Sequence, residues 1–98
     1  MNTFTANIIY RIELEGQSTD QYEEQVRLVF ADTIENALAE ARSIGQVEEA
    51  IFVDRHGRSV CWRMLAVKDI QPVELKNGGL LFSKVHEPEI VAAPVWVA

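Results

Sequence analysis

The chain has 98 residues, 48% of them apolar and 24% charged, with a formal net charge of −6. Those figures fit one globular domain and exclude a disordered, collagen-like or membrane-spanning class. Nine Lys and Arg against fifteen Asp and Glu make nucleic acid an unexpected partner, because phosphate backbones demand clustered bases.

The excess acid lies in the first half. Residues 1–50 carry ten acids and three bases, whereas residues 51–98 carry five acids and six bases. The single cysteine, Cys61, allows no internal disulfide and no zinc site built on several thiolates. No export signal or membrane segment is recognised, since the uncharged stretch Ile90–Ala98 is far shorter than the ~20 residues of a span. A soluble cytoplasmic protein is expected, with no cofactor and no membrane partner.

From Thr5 to Leu14, apolar Ala6, Ile8, Tyr10, Ile12 and Leu14 alternate with Asn7, Arg11 and Glu13, which predicts a half-buried strand. Gly16–Gln21 reads as a turn. Tyr22, Val26, Leu28 and Phe30 then alternate with Glu23, Gln25 and Arg27, predicting a second strand and an antiparallel hairpin. Asp32-Thr33-Ile34-Glu35 reads as a capping box with Asp32 at the N-cap. Ile34, Ala37, Leu38, Ala41 and Ile44 define one buried helical face, and Gly45 is expected to end the helix.

Ile51-Phe52-Val53, the turn Arg55-His56-Gly57 and the run Ser59–Val67 predict a second hairpin. Asn77-Gly78-Gly79 marks a tight turn, and Leu80–Val85 is expected to be a short fifth strand. The predicted fold is α+β, in the order β-β-α-β-β-β, with one amphipathic helix packed on a mostly antiparallel sheet. A single domain should span residues 1–86, followed by an apolar tail, 87–98, docked on its own chain or a partner. The expected core is Ile8, Tyr10, Ile12, Val26, Leu28, Phe30, Ile34, Leu38, Ala41 and Trp62.

Certain features in their order and spacing carry a family likeness. These are Tyr22-Glu23-Glu24-Gln25 leading into Val26-Arg27-Leu28-Val29, the helix Glu35–Ala41 with Gly45 after it, then Gly57, Val60, Trp62 and the Gly79–Ser83 segment. With them the chain resembles a small bacterial family, domain of unknown function 4288, from the N-terminal strand through Lys84. The resemblance implies a compact α+β domain and brings no established activity or catalytic residues.

Asp54, His56 and Cys61 invite a nucleophile-and-base reading, but a cysteine inside a strand is more simply a small buried apolar residue. His86-Glu87-Pro88-Glu89 offers clustered donors without a partner set at metal-ligand spacing elsewhere, so no metal is expected. Glu23-Glu24 and Glu48-Glu49 are adjacent pairs, and neighbours in a strand point to opposite faces. Asn77-Gly78-Gly79 lacks the lysine and following helix of a phosphate loop.

The basic group Arg55, His56, Arg58 and Arg63 is the candidate binding site for an anion or an acidic partner surface, the plainer reading being a solvated hairpin tip. An enzyme would need a pocket gathering Tyr10, Arg27, His56 and Trp62. The leading expectation is a non-enzymatic interaction module, a homodimer or small accessory subunit, with a small-ligand or anion-binding sensor using the basic hairpin as the alternative and a small enzyme ranked below both. Candidate interface residues are Ile9, Val29, Leu65 and Val67 on the outer sheet face, with Val95 and Trp96 in the tail.

Pro94 cannot donate a ladder hydrogen bond, so the tail suits a sheet edge or apolar groove, with Trp96 as its anchor. Deleting residues 90–98 should lower the melting temperature or shift the sedimentation coefficient. If neither moves, and Trp96 fluoresces as a solvent-exposed indole, the docked tail is refuted.

Overall fold

The computed structural model describes residues 1–83 and Val85, so the expected tail with Val95 and Trp96, and the His86–Glu89 group, lie outside the described residues. Its elements are β1 (Asn2–Leu14), β2 (Gln17–Ala31), α1 (Ile34–Val47), β3 (Ala50–Val53) and β4 (Ser59–Pro72). The four strands form one antiparallel sheet in the order β2-β1-β4-β3, with the helix packed on one face. The expected α+β class is therefore observed. Residues 80–83, expected as a fifth strand, are not a strand.

The first hairpin is tighter than its sequence suggests. Glu15 and Gly16 both have positive φ, 52° and 78°, and Leu14 pairs directly with Gln17, the arrangement of a two-residue turn whose twist matches that of the strands. A glutamate in this region is strained, and its contacts offset that. Its amide donates to the Ser59 carbonyl (2.8 Å) and its carboxylate accepts from the Ser59 amide (2.9 Å), tying the first hairpin to the start of β4.

The helix differs from expectation at both ends. Thr33, not Asp32, is the N-cap, its hydroxyl accepting from the Asn36 amide at 3.1 Å, while the Asp32 carbonyl accepts from Asn2 instead. At the other end the helix runs through Gly45 to Val47. Gly45 is a packing residue. A Cβ there would lie 3.0 Å from Met64 Cγ and 3.2 Å from Ile8 Cγ2, closer than ordinary contact. Ala37, Ala41 and Gly45 recur at every fourth position and are all buried, so the helix meets the sheet along a nearly side-chain-free ridge.

Beneath that ridge lie Phe4, Ala6, Ile8 and Tyr10 of β1 with Val29 and Ala31 of β2. The observed core shares Ile8, Tyr10 and Ala41 with the expected one, and Leu38, Ile12 and Trp62 are half-buried. Val26, Leu28, Phe30 and Ile34 are exposed, which corrects their assignment to the core. In β2 the register decides the face. Phe4 points to the helix and pairs with Val29, so 27, 29 and 31 face inward and 26, 28 and 30 face out. The inward set includes Arg27, whose half-exposed side chain lets its stem line the core edge while its guanidinium reaches Gln25 and Glu48.

The chain after β4 folds back. Val73 donates to the Thr3 carbonyl, and a turn over 74–79 includes Gly78 at φ 80°. Gly79 sits so close to the Glu74 carbonyl oxygen that a Cβ would fall inside van der Waals contact. Leu81 then passes over the sheet face opposite the helix, its carbonyl within 3.4 Å of the Thr5 hydroxyl.

Tyr10 is fully buried and donates to the Gly45 carbonyl at 2.7 Å, fastening the helix end to the sheet. Burial raises its phenol pKa, with Glu48, Glu49 and Glu23 adding to the shift and Arg27 opposing it. A raised folded-state pKa gives stability that is full below the unfolded value, ~10, and lost as pH rises through the folded one. Tyr10→Phe should cost about 1–3 kcal/mol at neutral pH by leaving a buried carbonyl unpaired. It should also remove this alkaline loss from urea-denaturation profiles. Gly45→Val should cost about 1–3 kcal/mol through overpacking, and an unchanged stability would show that the ridge has slack.

Candidate functional site

The basic hairpin is built around an acid. Asp54 opens the β3–β4 turn, and its carboxylate accepts from the amides of His56 and Arg58, both at 2.9 Å, and from Arg58 Nε at 2.9 Å. The hydrogen bond from the Arg58 backbone amide is the main cause holding the Asp54 carboxyl below its ordinary pKa. Arg63 lies on the face away from the helix, 3.5 Å from Glu13, which also pairs with Arg11 at 2.8 Å. Of the four basic residues expected to act together, Arg58 and Arg63 are thus occupied by the chain's own carboxylates. Arg55 and His56 stay exposed, with no ion pair among the described residues.

No catalytic pair forms from His56 and Cys61. His56 is exposed in the turn, Cys61 is a buried strand residue opposite Ile51, and no hydrogen bond joins them among the described residues. Nor, among those residues, does any group of three or more His, Cys, Asp or Glu stand where it could hold a metal ion. Among them too, no helix is long and apolar enough to cross a membrane.

The expected outer-face residues separate. Ile9 is half-buried on the far face, opposite Glu24 and Ala66, and Leu65 is exposed at a bulge of β4. Val29 is 1% exposed in the core and Val67 packs against that core beside Ile8, so neither is an outer-face residue. The register that turned β2 over is the physical reason for Val29. For Val67 it is the pair of bulges that insert Leu65 and Lys68 into β4 and reset its alternation.

What that inversion leaves outside is a row on the edge strand. Val26, Leu28 and Phe30 are 53%, 48% and 53% exposed, side by side on the far face of β2. Their partners on β1 are Asn7, Thr5 and Thr3, and the returning segment crosses there, Leu81 at Thr5 and Phe82 beside Asn7. Thr5 and Asn7 are buried even though they face away from the helix. Asn7 donates to Glu24 at 2.7 Å, and Lys68 reaches the same carboxylate at 3.3 Å. Leu80, Leu81 and Phe82 are each about half exposed or more, extending the apolar surface of this face.

Among the described residues, openings lie on the helix side. One, about 370 Å³, runs between the first turns of α1 and β4 and is lined mainly by Ile34, Leu38, Val67 and Ile70. Another, about 200 Å³, lies beyond the helix end and is lined by Glu23, Gln25, Glu48, Ala50, Phe52 and Trp62. Phe52 stacks on Trp62 with centroids 5.1 Å apart at 28°. The sequence offered only adjacent acids here. As expected, Glu23 and Glu24 point to opposite sides of the sheet, and folding brings Glu23 and Glu48 to one groove from separate elements.

Four antiparallel strands crossed on one side by a single helix, among the described residues, define the α+β class to which the geometry assigns the chain. Within it the chain belongs to the family described as domain of unknown function DUF4288, whose profile matches residues 3–83. No curated protein and no solved structure matches the chain.

The lowered pKa of Asp54 gives the second hairpin a pH dependence of known sign. The stabilisation is present above the unfolded carboxylate value and is lost as pH falls through the lower folded one. In an NMR titration the His56 and Arg58 amide signals should move together with a midpoint below the usual aspartate range. Asp54→Asn should abolish that titration, and its persistence would mean another acid organises the turn.

Proposed function

We propose that this domain is a non-enzymatic protein-interaction module that self-associates through the far face of its sheet at β2. The observation that carries this reading is the row Val26, Leu28 and Phe30, three large apolar side chains about half exposed on one face of a fifteen-residue edge strand. An edge strand presents unpaired backbone groups as well, and native proteins ordinarily protect such edges or use them. Contiguous exposed apolar surface of this kind marks interaction sites. A second copy offers the same row in a self-complementary arrangement, the commonest route to a dimer.

The alternative role as an accessory subunit uses the same face on a different protein. The anion-sensor reading draws less support, because Arg58 is ion-paired with Asp54 and Arg63 with Glu13. A single buried cysteine and no disulfide among the described residues fit a reducing bacterial cytoplasm as the place where the module works.

Analytical ultracentrifugation of the full chain should show concentration-dependent dimerisation. Leu28→Glu should shift the sample to monomer while leaving the melting temperature nearly unchanged, since the side chain is half exposed on the face away from the helix. A wild-type chain that stays monomeric at high concentration would end the self-association reading.

A further inference from the structure

The groove beyond the helix end joins three features that each favour a cation. Its lining includes a stacked aromatic pair, Phe52 on Trp62, and Phe52 is 48% exposed, which leaves aromatic surface within reach of a ligand cation. Glu23 comes from β2 on one side, while Glu48, the helix C-cap, comes from the other. The carbonyl end of α1 adds negative potential, and its last turn holds no basic residue to offset it.

The chain supplies little compensation of its own. Arg27 is the one cation paired there among the described residues, and it stands 4.0 Å from Glu48 while its Nε donates to Gln25. Glu23 is met by the neutral Gln25 amide at 2.5 Å. Glu48, Glu49 and Glu23 all raise the pKa of the buried Tyr10 phenol, each by less than Arg27 lowers it. At about 200 Å³ the opening is smaller than the ~300–1,000 Å³ of drug-sized ligand sites and suits one side-chain head group.

We propose that this groove binds an arginine side chain presented by a partner protein, the guanidinium lying on the Phe52–Trp62 pair and donating to Glu23 and Glu48. Arginine fits better than lysine because its planar head stacks on an aromatic face and offers forked donors to a carboxylate, whereas an ammonium is a compact, strongly hydrated charge. The groove is on the opposite side of the sheet from Val26, Leu28 and Phe30. Arginine capture therefore stands or falls independently of self-association.

The test uses the full chain carrying Trp96→Phe, so that Trp62 is the only indole, titrated with Nα-acetyl-arginine amide at constant ionic strength. Trp62 fluorescence should change with a dissociation constant of about 1–10 mM, the scale of an isolated side-chain contact. The citrulline analogue, which has the same shape without the charge, should give no change. Lysine amide should bind several-fold more weakly. Glu23→Gln with Glu48→Gln should weaken arginine binding at least ten-fold, with circular dichroism confirming that the variant is folded. Phe52→Leu should weaken it while keeping both charges. No response to arginine, an equal response to citrulline, or undiminished binding in the double variant would each overturn the proposal, and lysine binding as tightly as arginine would overturn the choice of side chain.

Discussion

The helix lies close to the sheet because its contact ridge carries almost no side chain. Ala37, Ala41 and Gly45 present backbone and methyl groups to Ile8, Tyr10 and Met64, and at Gly45 there is no room for even a Cβ without displacement. That approach puts the Gly45 carbonyl within reach of the Tyr10 hydroxyl, and the bond between them satisfies two buried polar groups at once. Larger residues at the ridge would lift the helix and break this bond. The position of the helix C-terminus, and with it the placement of Glu48 at the end groove, follows from small residues at three positions.

The same constraint explains where sequence reading succeeds and where it fails. In β1, alternation is enough, because Ile8 and Tyr10 both lie under the helix and only one face is consistently apolar. In β2 the larger apolar residues Val26, Leu28 and Phe30 outweigh Val29 and Ala31 by any hydrophobic count, yet the smaller set is inside. A closely packed helix has room for Ala31 and the stem of Arg27 at this edge, and the pairing of Phe4 with Val29 fixes the choice. Gly45 shows the same ambiguity in a helix. In sequence a glycine near a helix end reads as a terminator, and only the distances to Met64 and Ile8 reveal it as a contact residue.

The β4 bulges and the returning segment were not legible for a different reason. Inserting Leu65 and Lys68 changes which residues face the helix without altering the composition of the strand, so period-two counting carries Val67 to the wrong side. Leu80–Phe82 is apolar enough for a strand, but the turn at Glu74–Gly79 directs it across the sheet face rather than alongside an edge. Its passage explains the burial of Thr5 and Asn7, polar residues on a face that would otherwise be open to water. The basic hairpin was legible as a cluster of residue types. The ion pair of Arg63 with Glu13 depends on a pairing between β1 and β4 that sequence proximity could not show.

The helix thus sorts the sheet into two surfaces of unlike chemistry. Because α1 is fourteen residues long, ~21 Å at 1.5 Å per residue, it cannot cover strands that extend past its end, and Trp62 and Phe52 stay open there. Carboxylates gather at that opening because the helix finishes in Glu48 just where β2 brings Glu23 alongside. Among the described residues no helix packs on the far side, and the returning segment crosses the centre of the sheet without covering the β2 edge. An apolar row on one face and an acidic aromatic groove on the other cannot serve one small ligand. They fit the two roles proposed above, self-association through one surface and recognition of a differently charged partner through the other.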